Sequence, residues 1–74
     1  MLEEIMKIIR SVKEDSTLVI TPESTLAGDL DLDSFSIVAI VSELEQVYNV
    51  SISDEELVQI KTIQDVMDLL NVKK

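Results

Sequence analysis

Apolar residues recur at helical spacing in two long stretches of the chain. Five of them fall on one face of residues 2–13, namely Leu2, Ile5, Ile8, Ile9 and Val12. Acidic residues come early in this stretch and basic residues late, as the helix dipole favours, so the pattern predicts an amphipathic first helix. A second helix is predicted from Ser34 or Phe35 to about Tyr48, and its apolar stripe has six members: Ile37, Ile40, Val41, Leu44, Val47 and Tyr48.

Capping signals predict two further helices. Ser53-Asp-Glu-Glu56 matches a capping box, which opens a short third helix with Leu57 and Ile60 on its apolar side. Thr62 and Asp65 form a weaker version of the same signal before a fourth helix. That helix presents four apolar residues and ends near an asparagine: Ile63, Val66, Met67 and Leu70, then Asn71. The predicted fold class is all-α, a single domain over residues 1–74 built as a small bundle of three main helices plus one short helix.

A long loop separates the first two helices. Residues 14–33 have no sustained period and include Pro22 and Gly28. Such loops tend to be either functional or disordered. Order is predicted here, with a turn of helix after Thr21-Pro22, because five apolar residues are spaced to anchor the loop on a core: Leu18, Ile20, Leu26, Leu30 and Leu32.

Charge and composition narrow the function. Fifteen acidic residues against six basic ones give a net charge of −9, which repels nucleic acid and anionic membranes and suits basic protein partners. The chain has no cysteine and no histidine, so no catalytic residue is predicted and the protein is not expected to be an enzyme. The amino-terminal residues lack a signal-peptide pattern and the longest apolar run is Ile37–Val41, so we expect no membrane insertion and a cytoplasmic location, or a stromal or mitochondrial one after processing. Nothing in the sequence suggests tight self-association, so a monomer is expected.

Three aspartates on alternate positions precede the second helix, in Asp29-Leu-Asp-Leu-Asp-Ser-Phe35. A calcium loop of the EF-hand type would need glycine at its sixth position and glutamate at its twelfth, where Ser34 and Ile40 stand, so no metal site is predicted. A second interpretation is that Asp33 or Ser34 caps the helix. A third is a protein docking site, because Phe35 lies opposite the apolar stripe and is expected to be at least partly exposed.

Taken together, the Asp29–Phe35 stretch, the apolar helix after it, Ser53-Asp-Glu-Glu56 and Ile60-Lys-Thr-Ile-Gln-Asp-Val66 resemble acyl carrier proteins over residues 1–71. The resemblance implies that Ser34 carries 4′-phosphopantetheine, derived from coenzyme A, and that a transferase recognises the flanking Asp33. It also implies that this arm holds acyl groups as thioesters and passes them between enzymes of fatty acid or polyketide-type biosynthesis.

The resemblance further implies two sets of residues around the arm. Partners are expected to be a phosphopantetheinyl transferase and acyl synthases or transferases with basic docking patches. The expected docking residues are Phe35, Asp29, Asp31, Ala39, Glu43 and Glu45. The expected lining of an acyl pocket is Val38, Ile52, Leu57, Ile60 and Ile63. The start at Met1 without a preceding linker leads us to expect a free-standing carrier.

The chain departs from the family pattern at several positions. Phe35 stands where leucine is usual, and Asp31 replaces a glycine, which aspartate can do in a left-handed backbone at some cost. Ser36 and Ala39 are neutral where carriers of primary fatty acid synthesis are usually acidic, so a specialised pathway is our hypothesis. The alternatives are a peptidyl, aminoacyl or D-alanyl carrier, and a helical interaction or calcium-binding domain without a prosthetic group.

Overall fold

The computed structural model describes residues 1–73, so Lys74, the last residue of the predicted domain, lies outside the described residues. It contains four α-helices, which we number α1 (Leu2–Lys13), α2 (Ser34–Tyr48), α3 (Asp54–Gln59) and α4 (Ile63–Lys73). Within residues 1–73 the only extended pairing is an isolated bridge between Thr25 and Thr62. The predicted all-α class, with three main helices and one short one, is confirmed.

The core draws on α1, α2, α4 and the long loop. Its fully or nearly fully buried members are Ile5 and Ile9 from α1, Ile20, Leu26, Leu30 and Leu32 from the loop, Ile40, Val41 and Leu44 from α2, and Ile63, Val66 and Leu70 from α4. The prediction was wrong for Val47, which is 54% exposed. It lies about 60° around the helix from Leu44, at the edge of the stripe rather than over the core.

The long loop is ordered by its apolar anchors, as predicted, but no helical turn follows Thr21. Instead Ser24 N donates to Thr21 O at 3.0 Å and closes a simple turn. The next carbonyls are taken up by α4, because Gln64 N donates to Pro22 O at 2.8 Å and Ile63 N to Ser24 O at 3.1 Å. These bonds tie the loop to the start of α4 and replace the bonds that a continuing helix would need.

Helix α3 is held mainly by polar contacts at its ends and buries none of its residues. The predicted capping box is present, with Ser53 N donating to Glu56 Oε1 at 3.0 Å and Glu56 N to Ser53 Oγ at 3.2 Å. The same carboxylate pairs with Lys73 Nζ at 3.0 Å. The backbone amide and the Lys73 ammonium lower the pKa of Glu56.

Helix α4 begins with the second predicted cap. Thr62 N donates to Asp65 Oδ2 at 3.1 Å and Asp65 N to Thr62 Oγ1 at 3.2 Å. The predicted end at Asn71 was wrong, because the helix continues to Lys73. Asn71 is not among the residues of positive φ, so it does not terminate the helix, and Lys73 in the last turn suits the helix dipole.

Candidate functional site

Ser34 is the first residue of α2 and is exposed to solvent. Of the two candidate caps, the structure selects Asp33, whose Oδ1 accepts a hydrogen bond from Ser36 N at 2.8 Å. The pKa of Asp33 is lowered, first by the hydrogen bonds with Ser36 and, to a smaller extent, by the charge of Lys13. The Ser34 hydroxyl is therefore not needed as a cap and stands at the helix start beside an ionised carboxylate.

The other two aspartates are fixed by the backbone around them. Asp29 Oδ2 accepts from Thr25 N at 2.9 Å while Asp29 N donates to Thr25 Oγ1 at 2.8 Å, which closes a reciprocal pair. Asp31 has a left-handed φ of 51°, the conformation that the sequence suggested for this position. Its carbonyl oxygen accepts from Lys13 Nζ at 3.0 Å. Residues 1–73 contain no group of three or more acidic, histidine or cysteine side chains placed to hold a metal ion.

The outward face of α2 next to Ser34 is largely uncharged. Phe35 is 88% exposed, as predicted, and Val38 is 51% exposed. Ala39 is also exposed, and the first turn of the helix contains no acidic residue. Glu43 is exposed further along the helix. The side of α2 that adjoins Ser34 therefore presents an aromatic ring and small side chains.

Glu45 has a structural contact that the sequence did not reveal. It is half-buried, and its Oε2 accepts from Ile52 N at 2.8 Å. This bond ties α2 to the segment before α3, after the chain reverses at the left-handed Asn49. An asparagine after a helix indicates where the chain turns. It does not indicate that Glu45 will bond to Ile52, which lies seven residues further along the chain.

A small apolar cavity of about 10 Å³, roughly the size of a single water probe, lies between the helices and the loop. Of the five residues expected to line an acyl pocket, Ile60 and Ile63 lie on this cavity. Val38, Ile52 and Leu57 do not line it, and Val38 points largely to solvent. The cavity is too small for an acyl chain, so any internal cargo would require the surrounding helices to separate.

The site offers an exposed hydroxyl whose neighbouring carboxylate, Asp33, is already bonded to Ser36 N. Hydroxyl activation normally needs an adjacent general base, and the sequence contains no histidine to serve as one. Such a hydroxyl is suited to receive a group from another protein that supplies the base. No helix within residues 1–73 is long and apolar enough to span a bilayer.

Comparisons with known proteins agree with this geometry. A family model described as a phosphopantetheine attachment site matches residues 3–70. An acyl carrier protein from Coprothermobacter proteolyticus is 40% identical over 72 residues, which cover 92% of this chain and 88% of that protein.

Two solved structures share the fold at moderate sequence identity. A Mycobacterium tuberculosis protein provisionally designated an acyl carrier protein superposes with a TM-score of 0.88 at 30% identity, covering 96% of this chain and 95% of its own. The holo acyl carrier protein of Geobacter metallireducens has a TM-score of 0.82 at 29% identity, with 97% and 83% covered.

Proposed function

Since the chain belongs to the acyl carrier protein family, we propose that Ser34 is the residue that bears its 4′-phosphopantetheine group. Family membership makes the protein a carrier of acyl groups, and we propose that it has no catalytic activity of its own. The observation that supports Ser34 is its place as an exposed first helical residue whose neighbour Asp33 already provides the cap. Attachment at Ser34 therefore disturbs no hydrogen bond that holds α2.

The residues around Ser34 fit a phosphodiester. Backbone amides in the first turn of a helix point toward the helix start and favour an anion there. The side chain leaves the helix on the exposed face that also presents Phe35, so a long arm can extend without displacing the core. Once attached, the group supplies a thiol on which acyl groups travel as thioesters.

In the proposed loading step, the Ser34 oxygen attacks the phosphorus of coenzyme A that bears the pantetheine, and a serine–phosphorus bond forms. The bond from that phosphorus to the second phosphate breaks, and adenosine 3′,5′-bisphosphate leaves with its electron pair. The hydroxyl proton is proposed to pass to a base of the phosphopantetheinyl transferase, because the neighbouring Asp33 carboxylate is bonded to Ser36 N and this chain has no histidine. The role of Asp33 in transferase recognition is part of the same proposal.

Partner enzymes are proposed to meet two chemically different surfaces beside the arm. Basic groups on synthases and transferases would face the carboxylates of Asp29, Asp31 and Asp33, with Glu43 further along α2. Phe35 and Ala39 would supply the apolar part of the contact. Glu45 is a weaker docking candidate than the sequence suggested, because it is half-buried as well as bonded to Ile52 N, whereas the three aspartates are exposed.

We propose that the cargo is an acyl group of a specialised pathway. The uncharged start of α2 supports a specialised pathway of fatty acid or polyketide type. For an acyl chain held internally, Ile60 and Ile63 are the best placed of the predicted lining residues. Because loading consumes coenzyme A, we propose that the protein works in the cytoplasm, as a monomer.

Intact-mass measurement during loading tests the attachment site. The parent, Ser34→Ala and Ser42→Ala are each incubated with coenzyme A, magnesium and a broad-specificity phosphopantetheinyl transferase. Ser42 is a matched control, because it is another exposed serine of α2. We expect one added phosphopantetheine on the parent and on Ser42→Ala, and none on Ser34→Ala. A folded, initially unmodified parent that gained nothing would favour an interaction domain without a prosthetic group.

A further inference from the structure

One basic side chain reaches from α1 to the segment that delivers Ser34. Lys13 lies in the last turn of α1, and its Nζ donates to the carbonyl oxygen of Asp31, eighteen residues further along the chain. Arg10 of the same turn bonds elsewhere, to Leu18 O at 3.0 Å, and Lys73 pairs with Glu56. Among residues 1–73, Lys13 is the basic side chain that bonds to the aspartate-rich stretch.

Asp31, whose carbonyl oxygen accepts this bond, has a left-handed backbone conformation that few residue types adopt easily. Asp31 has a φ of 51°, a region that residues other than glycine occupy only when their surroundings hold them there. Leu30 and Leu32 on either side are buried, and Leu32 N donates to Leu26 O at 3.0 Å. The Lys13 ammonium bonds to the Asp31 carbonyl oxygen and so restrains that peptide unit, which lies only three residues before Ser34.

Lys13 also acts on the cap itself. Its positive charge favours the ionised form of Asp33, and the ionised carboxylate accepts the Ser36 amide that starts α2. A single side chain therefore contacts the turn before the cap and supports the cap electrostatically. The hydrogen bond to Asp31 and the charge effect on Asp33 both act on the backbone segment that determines the position of the Ser34 hydroxyl.

We propose that Lys13 is a positioning residue for the loading of Ser34, acting through its hydrogen bond to the carbonyl of Asp31. The inference rests on the attachment proposed above. A transferase must bring the serine oxygen into line with a phosphorus atom, and small misplacements in such reactions reduce the rate strongly. Lys13 holds the approach to Ser34 in one conformation before any partner binds.

Steady-state loading kinetics of three variants test this role. Lys13→Met removes the bond and the charge but keeps most of the apolar stem, while Lys13→Arg keeps both the charge and the donor. Lys7→Met is the matched control, because it removes one positive charge from an exposed position of the same helix. We expect Lys13→Met to lower kcat for loading about tenfold, and Lys13→Arg and Lys7→Met to stay within about twofold of the parent.

A second measurement on the unloaded chain does not depend on the attachment site. Amide hydrogen exchange of Leu32 and Ser36 should accelerate about threefold or more in Lys13→Met and not in Lys7→Met, with Ile9 as the reference for global unfolding. Equal kcat values for Lys13→Met and Lys7→Met, or unchanged exchange at Leu32 and Ser36, would overturn the proposal. If the exchange changes while even the parent is never loaded, the attachment at Ser34 fails and the positioning of the turn stands.

Discussion

The long loop and helix α3 are held in ways that their secondary structure does not suggest. The irregular loop places four side chains in the core, Ile20, Leu26, Leu30 and Leu32, and its backbone bonds to α4. The regular helix α3 buries none of its residues and relies on a capping box and one ion pair. Burial, rather than regular hydrogen bonding, decides which of the two regions is firmly held.

This difference matters for a carrier protein. Ser34 follows directly on the well-anchored loop, so the proposed attachment point has a fixed position. Helix α3 buries none of its residues and leads into Ile60, which lies on the small apolar cavity. We therefore expect the attachment point to be held more firmly than the segment that leads into this side of the cavity.

The largest expected effect comes from removing one leucine from each region. Leu30→Ala should lower the free energy of unfolding by about 2–5 kcal/mol, because Leu30 is 1% exposed and the truncation leaves a cavity. Leu57→Ala should lower the free energy of unfolding by only about 1 kcal/mol, because Leu57 of α3 is only half-buried. Urea unfolding followed by circular dichroism measures both values. Equal losses would mean that α3 is held as firmly as the loop.

Acid should lower the stability that each region contributes by a different amount. This difference is expected to be smaller than the one between the two leucine variants. Hydrogen bonds from the Lys61 and Thr62 amides lower the pKa of Asp65, which secures the loop-to-α4 bridge, and Ser53 N chiefly lowers that of Glu56 in α3. A lowered native pKa means that, between the native and the unfolded pKa, the unfolded chain binds more protons than the folded chain does. The stabilisation is therefore complete above the ordinary values of 3.8 and 4.5 and is lost as the pH falls through the native pKa.

The corresponding measurement is the fall in Tm between pH 7 and pH 3. Asp65→Asn should make this fall smaller than in the parent, because the carboxylate whose pKa is lowered in the folded chain is gone. Glu56→Gln should reduce the fall in Tm less, because detaching α3 from the rest of the molecule exposes no buried residue of that helix. A larger effect for Glu56→Gln would reverse the comparison between the regions.

The smallest expected effect concerns the junction between the loop and α2. Ser34→Ala should leave Tm within about 2 °C of the parent, because Asp33 and not Ser34 caps the helix. Asp33→Ala should lower Tm by several degrees, whereas Asp33→Asn should retain most of it, since asparagine caps as well as aspartate does. Thermal unfolding at pH 7 checks all three. A Ser34→Ala loss as large as that of Asp33→Ala would contradict the assignment of the cap.

The sequence predicted those features that depend on local pattern. Helical periodicity located α1 and α2 to within a residue, the Ser53 and Thr62 signals located α3 and α4, and the wheel of α2 predicted the exposure of Phe35. The failures lie where distant contacts decide. The Pro22 turn stays non-helical because Gln64 N of α4 bonds to the Pro22 carbonyl oxygen. The bond between Glu45 and Ile52 N was likewise not predicted, while the docking role of Glu45 stays a prediction. Lys13 and Asp31 are eighteen residues apart, and no local sequence pattern predicts their contact.

The most direct test of the central claim counts thiols. The chain has no cysteine, so any thiol found after loading must come from the attached arm. Denatured samples of the parent and of Ser34→Ala are titrated with a thiol reagent before and after treatment with coenzyme A and a transferase, once free coenzyme A has been removed. Attachment at Ser34 predicts a rise from zero to one thiol per chain in the parent and none in Ser34→Ala. No thiol in the treated parent, or one in Ser34→Ala, would contradict it.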